Sequence, residues 1–274
     1  MKIAVMYIAL GRYDVFFERF HAGCERFFVP EAEKEYFVFT DSKKSIFDGN
    51  PAIHKIHRED MGWPGNTLMR FEMFCSVKSH MNRFDKVFFF NANMIFKKTV
   101  TADEISGEGL IFVLHPGYWR VKNPDELPYE RNETSLAQIP YGSGEVYVCG
   151  GVNGGERGAY MRMSGELMSR IKKDKDAGVT ALHNDESHIN RYLFEAEKGS
   201  YRILGPGYVY PERLYIKGVD MKIKLLEKDR FFKVGLNRGG HGAGRDGVVY
   251  RLFLYVSIAA SGILRFFCRA GRKG

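Results

Sequence analysis

The segment Lys86-Val87-Phe88-Phe89-Phe90 is a short, almost uninterrupted apolar run that ends at Asn91-Ala92-Asn93 and resumes as Met94-Ile95-Phe96. A run of this length without polar alternation suits a strand buried on both faces. Such a strand calls for a mainly parallel sheet with a layer packed on each side. The polar residues at its carboxyl end then fall where open α/β sheets bind ligands.

The rest of the chain supplies neighbours for that strand. Residues 2–10 read as a first strand, and Asp14 to Phe28 as a helix with Val15, Phe16, Phe20, Cys24 and Phe27 on one side. Tyr36 to Asp41 is a second strand, and Ile53 to His57 alternates like a partly exposed one. Gly62-Trp63-Pro64-Gly65-Asn66 is a turn, from which Asn66 or Thr67 caps a helix running to about Met81. Leu110 to Leu114 is another strand, ending at His115-Pro116-Gly117, before a polar loop over 120–144. A strand over 145–149 runs into Gly150-Gly151-Val152-Asn153-Gly154-Gly155, a helix covers 157–173, and Asn184 or Asp185 opens another. This alternation predicts an α/β domain with a mainly parallel sheet over 1–246, followed by a basic and apolar tail over 247–274.

The chain of 274 residues is 45% hydrophobic and 27% charged, enough for a sizeable core. Five of its basic residues (Arg251, Arg265, Arg269, Arg272, Lys273) follow Gly247 with no acidic one, so the net charge of +8 is concentrated at one end. That argues against a nucleic-acid binder, whose charge forms a patch on the folded body. Cys24, Cys75, Cys149 and Cys268 are scattered without zinc or redox spacing, as in a reduced, cytoplasmic protein. The apolar start reads as a strand rather than a signal segment, and no stretch is long enough to cross a bilayer. The apolar run within 248–268 suits either an interfacial helix on the inner face of an anionic membrane or a helix packed on protein.

Several residues are chemically suggestive, each with an ordinary alternative. Asp185-Glu186 at a helix start either favours the dipole or presents a carboxylate to an anomeric carbon. Gly150-Gly151 and Gly154-Gly155 either turn the chain or admit a sugar ring closely. Asn91, Asn93 and His115 either shape turns or bind. His183, Asp185 and His188 as metal-hydrolase ligands are a poor fit, since no further ligand accompanies them.

Taken in order, these segments resemble the retaining α1,3-glycosyltransferases of the ABO blood-group enzymes and α1,3-galactosyltransferase, glycosyltransferase family 6. The resemblance is carried by Ile8-Ala9-Leu10-Gly11-Arg12-Tyr13, Tyr36-Phe37-Val38-Phe39-Thr40-Asp41, Arg70-Phe71-Glu72-Met73, His115-Pro116-Gly117-Tyr118, Tyr129-Glu130-Arg131, the paired glycines and Asp185-Glu186-Ser187-His188-Ile189-Asn190. It spans about residues 3–245. Asn91-Ala92-Asn93 stands where such enzymes carry the metal-binding Asp-x-Asp, as in the family's bacterial branch.

The resemblance implies a single-domain Rossmann-like GT-A fold with a central mixed, mostly parallel sheet, and a metal-independent enzyme, with no cofactor, acting on UDP-GalNAc or UDP-Gal. The acceptor it implies is a galactose-terminated glycan, fucosylated in the H-type case. Tyr13 would flank the uracil with Ile8 and Ala9 beside it, and Arg70, Asn91, Asn93 and Asp185 would bind the donor. Cys149, Gly150 and Gly151 would form the wall at the donor's C2 substituent, where Gly151 and Cys149 leave room for an N-acetyl group. His115 would touch the acceptor, and Glu186 would act as nucleophile or charge stabiliser. Lys233 and Arg245, in a glycine-rich basic segment, would supply positive charge to the diphosphate. His183-Asn184 and Pro211-Glu212 depart from the family's acceptor-side pattern. The rival reading is a catalytically silent UDP-sugar or glycan-binding protein.

Overall fold

Phe88 and Phe90 lie on one face of the apolar strand, each with its ring centroid 5.1 Å from that of Phe28. Phe89 lies on the other, 5.3 Å from Phe74. Every residue of the run is buried, as its lack of alternation predicts.

The computed structural model describes residues 1–228 and 231–232. Its strands are β1 (Lys2–Ala9), β2 (Glu33–Thr40), β3 (Ile53–His57), β4 (Lys86–Phe90), β5 (Met94–Phe96), β6 (Leu110–Leu114), β7 (Val148–Glu156), β8 (Tyr201–Leu204), β9 (Tyr210–Pro211) and β10 (Ile223–Leu225). The α-helices are α1 (Phe17–Phe27), α2 (Gly62–Leu68), α3 (Arg70–Cys75), α4 (Arg157–Asp176) and α5 (Asp185–Glu195). A seven-stranded sheet runs β3-β2-β1-β4-β7-β6-β8, and a three-stranded one β5-β10-β9. In the large sheet only β7 breaks the parallel pattern, pairing antiparallel with both β4 and β6. The α/β class and the mixed, mostly parallel sheet are as the sequence predicts.

Two features of this order locate a site. The chain leaves β1 toward β2 and β3 on one side and returns to β4 on the other, so the strand order reverses at the carboxyl ends of β1 and β4. Because β7 is antiparallel, its first residues lie beside the ends of its neighbours: Val152 pairs with Phe90 and Val148 with Leu114. Helices α3, α4 and α5 cover one face through Phe71, Phe74, Tyr160, Leu167 and Ile189. On the other face Phe20 of α1 packs on Tyr7 and Phe96, at 4.5 and 5.7 Å between centroids.

Three local expectations change. The helix over 14–28 opens as a 3-10 turn (Tyr13–Phe16), whose tighter winding leaves Val15 exposed while Phe16, Phe17, Phe20 and Cys24 are buried. The helix to Met81 is divided into α2, α3 and a 3-10 segment (Lys78–Arg83). Asn66 lies inside α2, where its Oδ1 accepts from Met61 N at 3.0 Å and its Nδ2 donates to Asp60 at 2.6 Å. It therefore pins a turn rather than capping a helix.

The strand expected over 145–149 begins only at Val148 and continues through the glycines, which belong to β7 rather than to a loop. A Cβ on Gly154 would lie 2.2 Å from the ring of Phe88, its cross-strand partner, so glycine lets that ring lie across β7. Gly155 has φ +137° and passes the Gly109 carbonyl where a Cβ would sit 2.3 Å away.

The compact unit is Met1–Phe231. Lys233, Arg245 and the tail, with the 246/247 boundary, lie outside the described residues. Among the described residues no helix is long and apolar enough to cross a membrane.

Gly154→Ala forces the Phe88 ring out of its place and should cost about 1–3 kcal/mol, lowering Tm by several degrees. Thermal unfolding of the purified variant reads this; an unchanged Tm would show that the ring relocates freely.

Candidate active site

At the start of α5 the chain turns through Asn184, a non-glycine residue at φ 50°. Ser187 Oγ accepts from His183 N at 3.0 Å and closes this turn. Successive helical residues diverge by about 100°, which sends Asp185 and Glu186 to different surroundings. Asp185 is 3% exposed and forms an ion pair with Arg70, the first residue of α3. Glu186 is only partly buried. Its Oε1 accepts from the Tyr147 hydroxyl at 2.9 Å and its Oε2 from Gly150 N at 2.7 Å.

The Gly150 peptide joins the two carboxylates. Its carbonyl accepts from Arg70 Nη1 at 2.8 Å and from Asn153 Nδ2 at 3.1 Å. Tyr160 in turn donates to Asn153 Oδ1 at 2.8 Å. The Arg70 guanidinium lies 4.4 Å from the centroid of Phe89. Asn190 bonds both main-chain groups of Val148, at 2.9 and 3.0 Å, and donates to Glu186 O at 2.9 Å. The first residues of β7 are thus bolted to the first turn of α5. A Cβ on Gly150 would come within 3.3 Å of Glu186 Oε2, so glycine is what lets that carboxylate close onto the strand.

The electrostatics follow from burial. Desolvation raises the Asp185 carboxyl to about 6; Arg70 opposes the rise and Glu186 adds to it. His115 is pushed below its ordinary value by burial, against the pull of Glu186, so it is neutral near pH 7. Its Nδ1 accepts from Gly117 N at 3.1 Å, which assigns the ring proton to Nε2. His115 packs on Tyr118 and Tyr147, at 4.9 and 5.8 Å between centroids. Tyr147 therefore touches both His115 and Glu186.

Next to this cluster, Asn91 N donates to Gly151 O at 2.8 Å, and a Cβ on Gly151 would sit 2.8 Å from Asn91 Nδ2. Cys149 is buried, its sulfur accepting from Gly151 N at 3.3 Å. Asn93 is buried on Leu226, whose carbonyl accepts from its Nδ2 at 2.5 Å. Ile8 is half-buried in β1, and Ala9 is fully buried with its carbonyl accepting from Thr40 Oγ1 at 2.7 Å. Gly11, at φ +61°, turns the chain toward Tyr13, where Lys228 Nζ lies 5.2 Å from the ring centroid. Arg70, Asn91, Cys149, Gly150, Gly151, Asp185, Glu186 and His115 therefore gather around the start of β7 and the carboxyl ends of β4 and β6, with Tyr13 past the end of β1.

His183, Asp185 and His188 do not converge. His188 turns to Asp174, 3.5 Å away, while Asp185 faces Arg70. Among the described residues no group of three or more His, Cys, Asp or Glu side chains forms a metal-ligand set.

Residues 1–233 match the family model described as Glycosyltransferase family 6. The chain belongs to glycosyltransferase family 6. It is 33% identical over 232 residues to the O-antigen biosynthesis glycosyltransferase WbnI of Escherichia coli, covering 84% of this chain and 96% of that protein. It is 29% identical over 221 residues to globoside alpha-1,3-N-acetylgalactosaminyltransferase 1 of Gallus gallus, covering 78% of this chain and 63% of that one. With histo-blood group ABO system transferase 1 of Rattus norvegicus it shares 27% over 219 residues, 77% and 62% of the two chains. The chain thus spans a little under two thirds of these animal relatives. Membership makes it a glycosyltransferase, an enzyme with a sugar donor and a glycan acceptor.

For this member of family 6, sequence reasoning missed Tyr147, Asn153, Asn190 and Lys228. Tyr147 looks like any strand aromatic until its hydroxyl is found on Glu186. Asn190 stood in the segment that carries the family resemblance, and its place four positions after Glu186 on a helix was a further signal, but no role was drawn from either.

Tyr147→Phe should reduce turnover about tenfold, by freeing one carboxylate oxygen, with Tm almost unchanged. Steady-state kinetics beside thermal unfolding read this; unaltered kinetics would remove Tyr147 from the site. The pH dependence has a definite sign. With its folded value above the ordinary 3.8, Asp185 makes the native state take up a proton before the unfolded chain does. Its contribution therefore favours folding increasingly as pH falls from about 6 toward 3.8 and weakens as pH rises through that window. Urea unfolding of wild type and Asp185→Asn at several pH values should show this component only in the wild type.

Proposed function

We propose that this chain is a metal-independent, retaining α1,3-glycosyltransferase of the GT-A fold. It moves GalNAc, or Gal, from a UDP-sugar to the 3-hydroxyl of a terminal galactose in a Fucα1-2Gal glycan. The observation that carries this reading is the Glu186 carboxylate, fixed by Tyr147 and Gly150 at the strand-end crevice while its neighbour pairs with Arg70.

In this reading the bond from C1 to the diphosphate breaks with its electron pair leaving on the phosphate oxygen. The acceptor's 3-oxygen bonds C1 on the same face, and its proton passes to the departing diphosphate. Glu186 faces C1 as nucleophile or as a fixed negative charge opposite the positive charge that develops there. Asp185, held by Arg70, accepts from donor hydroxyls. His115 donates through Nε2 to the acceptor sugar. Gly151 and Cys149, the small residues of the wall at C2, favour the N-acetyl group without excluding hydroxyl.

Independence from metal is supported by the donor set. Asn91 and Asn93 offer neutral amides in place of the charged oxygens that hard cations prefer. Lys228, above Tyr13, is placed to offset charge on a nucleotide at the β1–β4 crevice, joined in this reading by Lys233 and Arg245. A Cβ at Gly151 would displace Asn91, so donor selection and the asparagine turn are mechanically linked.

The test offers UDP-GalNAc and UDP-Gal with 2′-fucosyllactose and lactose, in EDTA and in manganese. Transfer in EDTA, faster with UDP-GalNAc, is expected. Glu186→Gln should lose about 100-fold or more in kcat while still binding UDP. Full activity in Glu186→Gln would contradict the assignment, and UDP binding without turnover of any donor would favour the silent binder.

A further inference from the structure

Asn93 stands in the turn that the donor reading places against the nucleotide sugar, yet its side chain is turned away from any opening. The residue is 2% exposed, and its Nδ2 donates to Leu226 O at 2.5 Å. Leu226 returns the contact, donating its own N–H to Asn93 O at 2.8 Å. The remaining amide atom, Oδ1, is sealed from solvent and has no partner among the described residues. All the hydrogen bonding of this side chain is thus directed at one peptide, 133 positions further along the chain.

That peptide begins a crossing. Before it, β10 pairs with β5, so Leu225 lies opposite Met94 and the chain arrives at the asparagine turn in fixed register. After it, Lys228 lies over Tyr13, and Phe231 packs on Phe16 at 4.7 Å between centroids. Leu226 therefore sits at the end of β4, while Lys228 and Phe231 sit at the turn after β1, on the two sides of the crevice where the strand order reverses. Fixing Leu226 fixes the height at which Lys228 meets Tyr13.

The chemistry of the latch selects an amide. Leu226 O accepts, so its partner must donate, and an ionised carboxylate has no proton to give. An aspartate at 93 would bring a buried negative charge against a carbonyl oxygen, a contact that both desolvation and repulsion oppose. We infer that Asn93 is a positioning residue rather than a donor ligand. Its amide latches the Leu226 peptide and so sets where Lys228 stands over the nucleotide. The asparagine is there because the latch needs a donor, independently of whether the turn ever held a metal. This inference rests on the donor site being the β1–β4 crevice, but its first readout does not.

The test is hydrogen exchange over 223–231 in wild type, Asn93→Asp and Asn93→Ala, alongside UDP titration by calorimetry. In wild type the Leu226 amide should already be protected without UDP; rapid exchange there overturns the latch before any variant is made. Both variants should exchange faster over 223–231 and bind UDP about tenfold more weakly, through KM more than kcat, with manganese restoring neither. Native exchange and native UDP affinity in Asn93→Asp would overturn the inference. So would native exchange with weakened UDP binding, which would make Asn93 a direct ligand. Faster exchange in both variants with native UDP affinity would leave the latch standing and remove the nucleotide from this crevice.

Discussion

The site depends on a buried guanidinium. Arg70 is 4% exposed, packed on Phe89, and held by the Gly150 carbonyl and the Asp185 carboxylate. A guanidinium so placed needs polar partners beside it, and truncating one strands the buried polar atoms of the other at a cost of about 1–3 kcal/mol or more. Asp185 must therefore point inward. On a helix that requirement turns the next residue outward, and Glu186 arrives at the crevice with Tyr147 and Gly150 waiting for it. A carboxylate that serves the fold thus orients its neighbour toward the crevice.

The same economy appears in β7. Its reversed direction brings its first residues, rather than its last, to the ends of β4 and β6. One strand then supplies Tyr147 just ahead of it, the wall of Cys149, Gly150 and Gly151, and farther on the glycines that admit Phe88 and the Gly109 carbonyl. The glycines serve two ends: 150 and 151 make room at the crevice, while 154 and 155 make room in the core.

Much of this was legible in the residues. The apolar run at 86–90 announced a doubly covered strand, and its polar end located the crevice. Arg70, Asp185, Glu186 and the Asn91 turn were named through the family resemblance and are found together. What escaped was set by tertiary context. Nothing in the local sequence says that β7 runs antiparallel, because glycines at a strand start look like a turn. Val15 fitted a helical face until a 3-10 turn shifted the phase. Tyr147 and Asn190 are ordinary residues whose roles exist only once β7 and α5 meet. Lys228 carries no signal of its own before the chain folds back over Tyr13.

The central claim is that Glu186, at the strand-end crevice, serves a transfer that keeps the donor's anomeric configuration. The most direct measurement is proton NMR of the newly formed disaccharide linkage, recorded early in the reaction with a UDP-α-sugar and a galactose-terminated acceptor. The account predicts an α-configured anomeric proton at a bond to the 3-position of galactose. A β-linked product would contradict it, since inversion needs a base for the acceptor on the opposite face rather than a carboxylate facing C1.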